Sequence, residues 1–253
     1  MSDATSAVGT LLIAGRFNGP PTSGNGGFTA GRVAGFLAPQ GAVEVTLRRP
    51  PPLDVPLAVE RSPGGLTVRA GDELVAEARP VDLTMLGEPV PPVDPASAKA
   101  ASLRFAGRRD HPFPTCFVCG TRRVEPDGLE IFAGPPTDAD GRRQDGRTAA
   151  IYMARREHVQ ARLGSGTEDV IGPEIVWAAL DCPGGWTTGL PGRPAVLGRL
   201  SAVVCSVPVV GERCVVVGAL DGRERRKSFT RTTAYGADGR ELGRAAAVWI
   251  DRP

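Results

Sequence analysis

The sequence predicts an α+β protein made of two similar units, each with one helix packed on an antiparallel sheet. Ten segments have the alternating apolar pattern and β-branched residues of strands, whereas only residues 27–37 and 173–182 make convincing helices. Each helix is followed by a long strand, a proline-containing joint and three more strands. A chain of 253 residues is long enough for two domains of about 125 residues each.

The predicted strands divide between the two halves of the chain. The first half contains residues 9–15, 42–48, 55–61 and 65–79, the last as a hairpin. The second half contains residues 128–133, 148–154, 195–206, 212–220, 226–235 and 240–250. The sequence GADG at 236–239 predicts a tight turn before the last strand.

The unit boundaries follow from a change in composition. Residues 81–111 are rich in proline and include a short alanine-rich stretch at 96–106, which is typical of a linker. The predicted units therefore span residues 1–80 and 112–253. The repeated order of elements indicates a tandem duplication. One helix leaves much of a sheet's apolar face open, so the two units are expected to pair about a pseudo-twofold axis. The chain is then a monomer with an internal pseudo-dimer, or a homodimer.

Composition argues against two classes of partner. There are 30 basic and 28 acidic residues, which gives no electrostatic case for nucleic acid. No apolar run approaches the roughly 20 residues that span a bilayer. The start MSDATSAVGT lacks the features of a signal peptide, and five cysteines fit reduced thiols, so a cytoplasmic protein is expected. Arginine, alanine, glycine and proline are abundant, as in a GC-rich bacterial genome.

Three short motifs carry a resemblance to a known family. PTCFVCGTRRVEPDGLEIF (114–132) and GPEIVWAALDCPGGW (172–186) are similar to the leading segment and the helix of hotdog-fold thioesterase-like proteins. NGGFTAGRVAG (25–35) is similar to the same helix start. The whole chain resembles a double-hotdog protein of the acyl-CoA thioesterase type, in which a curved antiparallel sheet wraps each central helix and the two units pack as a pseudo-dimer.

The resemblance implies a reaction and a place for it. In hydrolytic members, a backbone N–H at the glycine turn polarises the thioester carbonyl, and a carboxylate from the facing helix acts as base or nucleophile. Alignment of the two halves places Gly26 opposite Pro173 and Ala34 opposite Asp181. The first half keeps the glycine turn and lacks the acid. The second half keeps the acid, and its proline has no N–H to donate.

These complementary losses predict one working composite site per chain. Asp181 is the expected base or nucleophile, Gly26 with Gly27 the oxyanion donor, and Asn25 or Asn18 the group that orients water or substrate. Two plainer interpretations stay open. Asp181 can bond loop amides at the end of its helix, and the glycines can form a turn without catalysis.

The expected substrate contacts are Asn18, Phe28, Trp186, Arg225 and Arg226. Trp186 either lines an acyl pocket or packs its loop. Arginines suit the phosphates of coenzyme A, although a solvated hairpin explains the run 223–227 equally well.

Other residues whose side chains could bind a metal or act in catalysis have simpler interpretations. Cys116 and Cys119 have metal spacing, but no second cysteine pair follows, so a packed, reduced pair is favoured over zinc. No metal or cofactor is expected, with acyl-CoA as the substrate. Glu174 shares a helix face with Asp181 and is expected to stabilise the helix dipole. His158 is expected at the surface.

Three functions remain at this point. The first is an acyl-thioester hydrolase with a composite site. The second is a non-catalytic acyl-CoA or acyl-ligand binding protein of the same fold. The third is a hotdog dehydratase or hydratase, which usually pairs an aspartate with a histidine. Neither His111 nor His158 lies at a helix start, which counts against the third.

Overall fold

The computed structural model describes residues 6–37, 41–123, 127–159 and 171–252. Its helices are α1 (Gly26–Ala34), α2 (Pro95–Leu103) and α3 (Pro173–Trp186). Its strands are β1 (Ala7–Leu11), β2 (Ala42–Leu47), β3 (Leu57–Ser62), β4 (Gly65–Ala70), β5 (Glu73–Val81), β6 (Arg147–Met153), β7 (Ala195–Val204), β8 (Arg213–Glu224), β9 (Lys227–Tyr235) and β10 (Glu241–Asp251).

All of these strands belong to one antiparallel sheet of ten strands, in the order β1-β3-β4-β5-β2-β7-β10-β9-β8-β6. The first five positions come from the first half of the chain and the last five from the second. From the centre of the sheet to its edge, the first half has the order β2-β5-β4-β3-β1 and the second half has the order β7-β10-β9-β8-β6. The two halves therefore have the same topology, with each strand of the first half equivalent to the strand five places later in the chain. The halves meet where β2 pairs with β7, from Val43 opposite Ala202 to Thr46 opposite Arg199.

Helices α1 and α3 lie together on one face of this sheet. Helix α3 packs on strands β6 to β10, and α1 packs on β2 and β7 and directly on α3. Strand β10 shows why the sheet has a buried face: from Ala245 to Trp249, buried residues alternate with partly exposed ones. The helices therefore occupy the apolar side of the sheet, and the contact between them is central in the molecule.

Two predictions from the sequence are wrong in this part of the fold. Residues 128–133 form no strand, because Glu130 has a positive φ of 55° and the segment runs irregularly beside residues 116–118. Leu129 N–H donates to the carbonyl of Phe117, at 2.8 Å, and Ile131 N–H to that of Val118, at 2.9 Å. The second error is α3, which continues to Trp186 instead of ending at residue 182.

The extension of α3 has a packing cause. Pro183 lies inside the helix, and the two glycines after it bring the helix onto the sheet. A Cβ at Gly184 would lie 2.6 Å from Thr230 Oγ1, and one at Gly185 would lie 2.6 Å from the Trp249 ring. Close contact with strands β9 and β10 therefore holds a turn that Cys-Pro-Gly-Gly alone would not form.

The segment between the two halves contains a third helix that the sequence did not predict. Asp94 caps α2 by accepting a hydrogen bond of 2.9 Å from Ser97 N–H, and Pro95 occupies the first turn. Ala98 and Ala101 are buried, and α2 packs on β6. No helix in the described part of the chain is both long enough and apolar enough to cross a membrane.

Candidate active site at the contact of helices α1 and α3

Asp181 lies in the middle of α3 and points at the beginning of α1. Its Oδ2 atom accepts a hydrogen bond of 2.9 Å from Gly27 N–H and one of 3.0 Å from Asn25 Nδ2. The residue is 2% exposed, and its Oδ1 atom is buried with no hydrogen-bond partner in the described part of the chain. The structure thus brings Asn25 and Gly27 of the first half to Asp181 of the second.

The start of α1 supplies the donors. Asn25 is the N-cap residue, and its Oδ1 atom accepts a hydrogen bond of 2.8 Å from Phe28 N–H. Its amide nitrogen is then free to donate to Asp181. Gly26 is partly buried, and its N–H has no acceptor within the described ranges. A helix N-terminus carries a partial positive charge, so a carboxylate is favourably placed there.

Glycines in α1 allow the helices to approach this closely. A Cβ at Gly27 would lie 2.5 Å from Asp181 Cβ and 2.6 Å from the carbonyl oxygen of Trp177. A Cβ at Gly31, one turn later, would lie 2.8 Å from Glu174 Cα. The helices therefore cross in antiparallel directions with backbone against backbone. The same register leads Ala34 toward the Pro173 end of α3, where the sequence offers neither an acid nor a backbone donor.

Burial changes the acidity of Asp181. Loss of hydration raises the pKa of its carboxyl to about 7, and the hydrogen bonds from Gly27 and Asn25 act in the opposite direction. The environment therefore resists charging this group, while the two donors stabilise the charged form. A carboxyl group balanced in this way can exchange a proton near neutral pH.

Three cysteine thiols lie beside this carboxylate. Cys116 Sγ is 3.8 Å from Asn25 Nδ2 and 3.8 Å from Cys182 Sγ, and Cys119 completes the group. The sequence pointed to Cys116 and Cys119 by their spacing. It gave no signal for Cys182, which follows Asp181 directly and joins the pair only because α3 packs on the 114–120 segment.

The residues expected to bind substrate are placed differently. Asn18 is buried, donates to Thr115 Oγ1 at 3.1 Å and accepts from Arg123 at 2.8 Å. Phe28 is fully buried and stacks on Phe17 with ring centroids 3.9 Å apart. Both side chains have structural contacts in the interior.

Trp186 is also largely enclosed. Its ring is 7% exposed and meets Phe105 and His111 edge to face, at centroid distances of 4.4 and 5.0 Å. Its indole N–H is buried without an acceptor in the described part of the chain. The side chain therefore closes the end of α3, with its indole N–H on the side of the Cys119 thiol.

The two arginines of the predicted phosphate site lie at the β8–β9 turn. Arg225 is exposed and has a positive φ of 52°, and Arg226 donates to the carbonyl of Asp251 at 2.7 Å. The adjacent Arg223 donates to the carbonyl of Thr188, at 2.8 Å, just after α3. The turn is thereby anchored near the end of the helix that carries Asp181.

His158 is buried and not on the surface as predicted. Its Nε2 atom lies 3.1 Å from the carbonyl oxygen of Gly128, and its Nδ1 atom lies 3.2 Å from the Tyr152 hydroxyl. The Arg155 N–H also donates to Nδ1, at 3.3 Å. This pattern fits a neutral imidazole with its proton on Nε2. Burial lowers the pKa of His158 to about 4.

The features of the molecule define a hotdog-type architecture, with helices held on a long antiparallel sheet and a buried carboxylate at their contact. Solved structures of this class are similar to it. A hotdog-fold protein of unknown function from Alicyclobacillus acidocaldarius has a TM-score of 0.59 at 15% identity, over 99% of this chain and 96% of that one. The tesB protein of Mycobacterium avium subspecies paratuberculosis has a TM-score of 0.61 at 12% identity, over 99% and 96%.

A third structure agrees with these two. A proposed thioesterase from Novosphingobium aromaticivorans has a TM-score of 0.62 at 12% identity, over 96% of this chain and 95% of that one. No protein-family model matches the chain, and no curated protein is similar enough in sequence to match it. The likeness to solved structures confirms the predicted hotdog fold, and at this level of identity it concerns the fold alone.

Proposed function

We propose that this chain is an acyl-thioester hydrolase, acting on acyl-CoA, with one composite active site between its two halves. The observation that carries the proposal is the meeting of Asp181, from α3, with Gly27 N–H and Asn25 at the start of α1. The equivalent strand orders of the two halves support their assignment as two hotdog units in a pseudo-dimer. Five free cysteines fit the reducing cytoplasm.

In this proposal Asp181 is the general base and the start of α1 supplies the hydrogen-bond donors. Gly27 N–H and Asn25 Nδ2 hold one oxygen of Asp181, which leaves Oδ1 without a partner in the described ranges. In the proposed reaction, Oδ1 takes the proton of a water molecule as the water attacks the thioester carbon. Gly26 N–H, which has no acceptor in the described part of the chain, donates to the oxyanion that forms. The thiolate of coenzyme A then leaves as the carbonyl is restored.

A second candidate is an acyl-CoA binding protein without turnover. Two observations favour it. Asp181 is 2% exposed, and Gly27 N–H, one of the expected oxyanion donors, is already engaged with the carboxylate. On this interpretation Asp181 fastens the two helices together, and an acyl ligand binds elsewhere on the same fold. The dehydratase alternative has less support, since His158 is engaged with Gly128 and Tyr152, and His111 with Cys119 and Phe113.

The test is a panel of acyl-CoA substrates of increasing chain length, incubated with wild-type protein, Asp181→Asn and Glu174→Gln. Glu174 is a partly buried carboxylate in the first turn of the same helix and provides a control. Loss of the thioester's ultraviolet absorbance is the preferred readout, because Cys205 is exposed and would react with thiol reagents.

We expect turnover by wild type and by Glu174→Gln, with a loss of about 100-fold or more in Asp181→Asn. Full activity in folded Asp181→Asn would overturn the catalytic role. Calorimetric binding of acyl-CoA without turnover, unchanged by Asp181→Asn, would support the binding protein instead.

A further inference from the structure

The three cysteines beside the candidate site form a cluster that the proposed hydrolysis does not use. Cys116, Cys119 and Cys182 are 3%, 3% and 6% exposed, and their sulfur atoms all lie within 4.8 Å of one another. Cys116 and Cys119 belong to the segment 114–120, and Cys182 belongs to α3. The cluster therefore joins two parts of the chain that are more than sixty residues apart.

A tight turn from Cys116 to Gly120 holds two of the three cysteines close together. Gly120 N–H donates to the Cys116 carbonyl at 2.8 Å, and a Cβ at Gly120 would lie 2.5 Å from that oxygen. Only glycine closes this turn without a collision. The side-chain amide of Asn25 faces the Cys116 sulfur, with Nδ2 at 3.8 Å from Sγ.

The spacing of the sulfurs agrees with one particular geometry. Around a tetrahedral Zn²⁺ ion with Zn–S bonds of about 2.3 Å, two thiolate sulfurs lie about 3.8 Å apart. The Cys116 and Cys182 sulfurs are 3.8 Å apart. Three thiolates are ligands that select a soft cation over magnesium or calcium. Three neutral thiols packed without a metal are the simpler alternative, and 3.8 Å is also an ordinary contact distance for two thiols, so the metal content of the protein decides between the two.

We propose that Cys116, Cys119 and Cys182 bind one Zn²⁺ ion, with a small ligand such as water in the fourth position. The ion would fasten the 114–120 segment to α3 next to Asp181. His111 does not supply the fourth ligand in this arrangement. Its Nε2 atom lies 3.0 Å from the Cys119 carbonyl oxygen, and its Nδ1 atom accepts from Phe113 N–H at 3.0 Å. The proposal is independent of any catalytic role for Asp181.

The experiment measures the metal content of full-length protein purified under reducing conditions from zinc-supplemented cells. Inductively coupled plasma mass spectrometry measures the zinc content of wild type, Cys116→Ser and Cys182→Ser. The controls are Cys205→Ser, at an exposed cysteine, and Cys214→Ser, at a buried cysteine outside the cluster. We expect about one zinc per chain in wild type and both controls, and at least a tenfold lower content in the two cluster variants.

A second measurement on the wild type alone guards against variants that fail to fold. Metal-free, reduced protein is titrated with Co²⁺, and we expect a sulfur-to-cobalt absorption band that saturates at one equivalent and disappears when Zn²⁺ is added. Folded wild type that takes up neither ion overturns the proposal. Retention of zinc by folded Cys182→Ser, or binding of copper(I) and not zinc, overturns it as well.

Discussion

The carboxylate of Asp181 accepts a 2.9 Å hydrogen bond from Gly27 N–H, although 154 residues separate the two in sequence. This bond explains the pair of glycines that opens α1. Gly27 has no side chain because Asp181 Cβ and the Trp177 carbonyl occupy the space where one would lie. The close approach and the hydrogen bond therefore depend on the same residue.

Replacement of Gly27 by alanine should separate the helices. The new methyl group meets backbone atoms of α3, which cannot move aside as the end of a flexible side chain can. We expect the free energy of unfolding to fall by about 3 kcal/mol in Gly27→Ala. Chemical denaturation monitored by circular dichroism measures the change.

Gly35→Ala is the matched control for that substitution. Gly35 ends the same helix with ordinary helical angles (φ −58°), and the nearest atom to a new Cβ is 3.5 Å away. We expect this variant to be as stable as wild type or slightly more stable. Equal stabilities of Gly27→Ala and Gly35→Ala would contradict the close helix contact.

Asn25→Asp should destabilise the protein through the same contact. The new carboxylate can still cap Phe28 N–H, but it replaces the amide that donates to Asp181 with a second acid in a buried place. Two carboxylates that share such a site repel each other, and we expect a loss of about 3 kcal/mol. Denaturant unfolding at neutral pH provides the measurement.

The exchanged double variant, Asn25→Asp with Asp181→Asn, tests the origin of that loss. It removes the second acid, but the atom at position 181 that faces both Gly27 N–H and residue 25 can be the oxygen or the nitrogen of the new amide, and not both. We expect it to recover part of the stability lost by Asn25→Asp alone, through relief of the repulsion between the two acids, and to stay less stable than wild type. If the two changes are simply additive, the pair does not interact as the structure places it.

The sequence predicted the sheet well and the site in part. Strands such as β10 have alternating patterns that local reasoning can recognise, and the motif at 25–35 resembles a hotdog helix start clearly enough to direct attention to Asp181. Helix α2 was missed because its signals, Asp94 and Pro95, lie in a segment whose prolines indicate a linker. Residues 128–133 were predicted as a strand because their apolar alternation does not reveal the positive φ of Glu130.

Contacts between segments that are distant in the chain could not be predicted from local patterns in the sequence. Cys182 has no partner at short spacing, and its approach to Cys116 depends on how α3 crosses the 114–120 segment. His158 follows charged residues, so it was expected at the surface, whereas Tyr152 and Gly128 enclose it. Such positions depend on packing between distant segments, and the residues around each position in the sequence give no sign of it.

Phe28 offers a test of interior packing against substrate binding. Its ring is fully buried, stacks on Phe17 and meets Phe117 at a centroid distance of 5.9 Å. Phe28→Ala should lower the free energy of unfolding by about 4 kcal/mol, because it leaves a cavity among these rings. Leu103→Ala, at a surface position that is 72% exposed, should change the free energy of unfolding by less than about 0.5 kcal/mol. If Phe28→Ala has normal stability and an altered substrate affinity, the ring contacts substrate and the packing role is wrong.

His158 should make stability depend on pH in the acid range. Burial holds the pKa of His158 at about 4 in the folded protein, compared with its ordinary value of 6.5. Its Nδ1 atom accepts from Tyr152 and Arg155, so protonation there would break both hydrogen bonds. Because the pKa is lower in the folded state, neutral His158 makes its full contribution to the free energy of unfolding above pH 6.5. That contribution is lost as the pH falls from 6.5 toward 4. The full loss is about 3 kcal/mol. Unfolding free energies of wild type and His158→Gln, measured from pH 8 to about pH 4.5, isolate the effect, since the variant has no group to titrate at this position. We expect the wild type to lose stability more steeply than the variant below pH 6.5, and parallel curves would show that His158 is not held neutral by its surroundings.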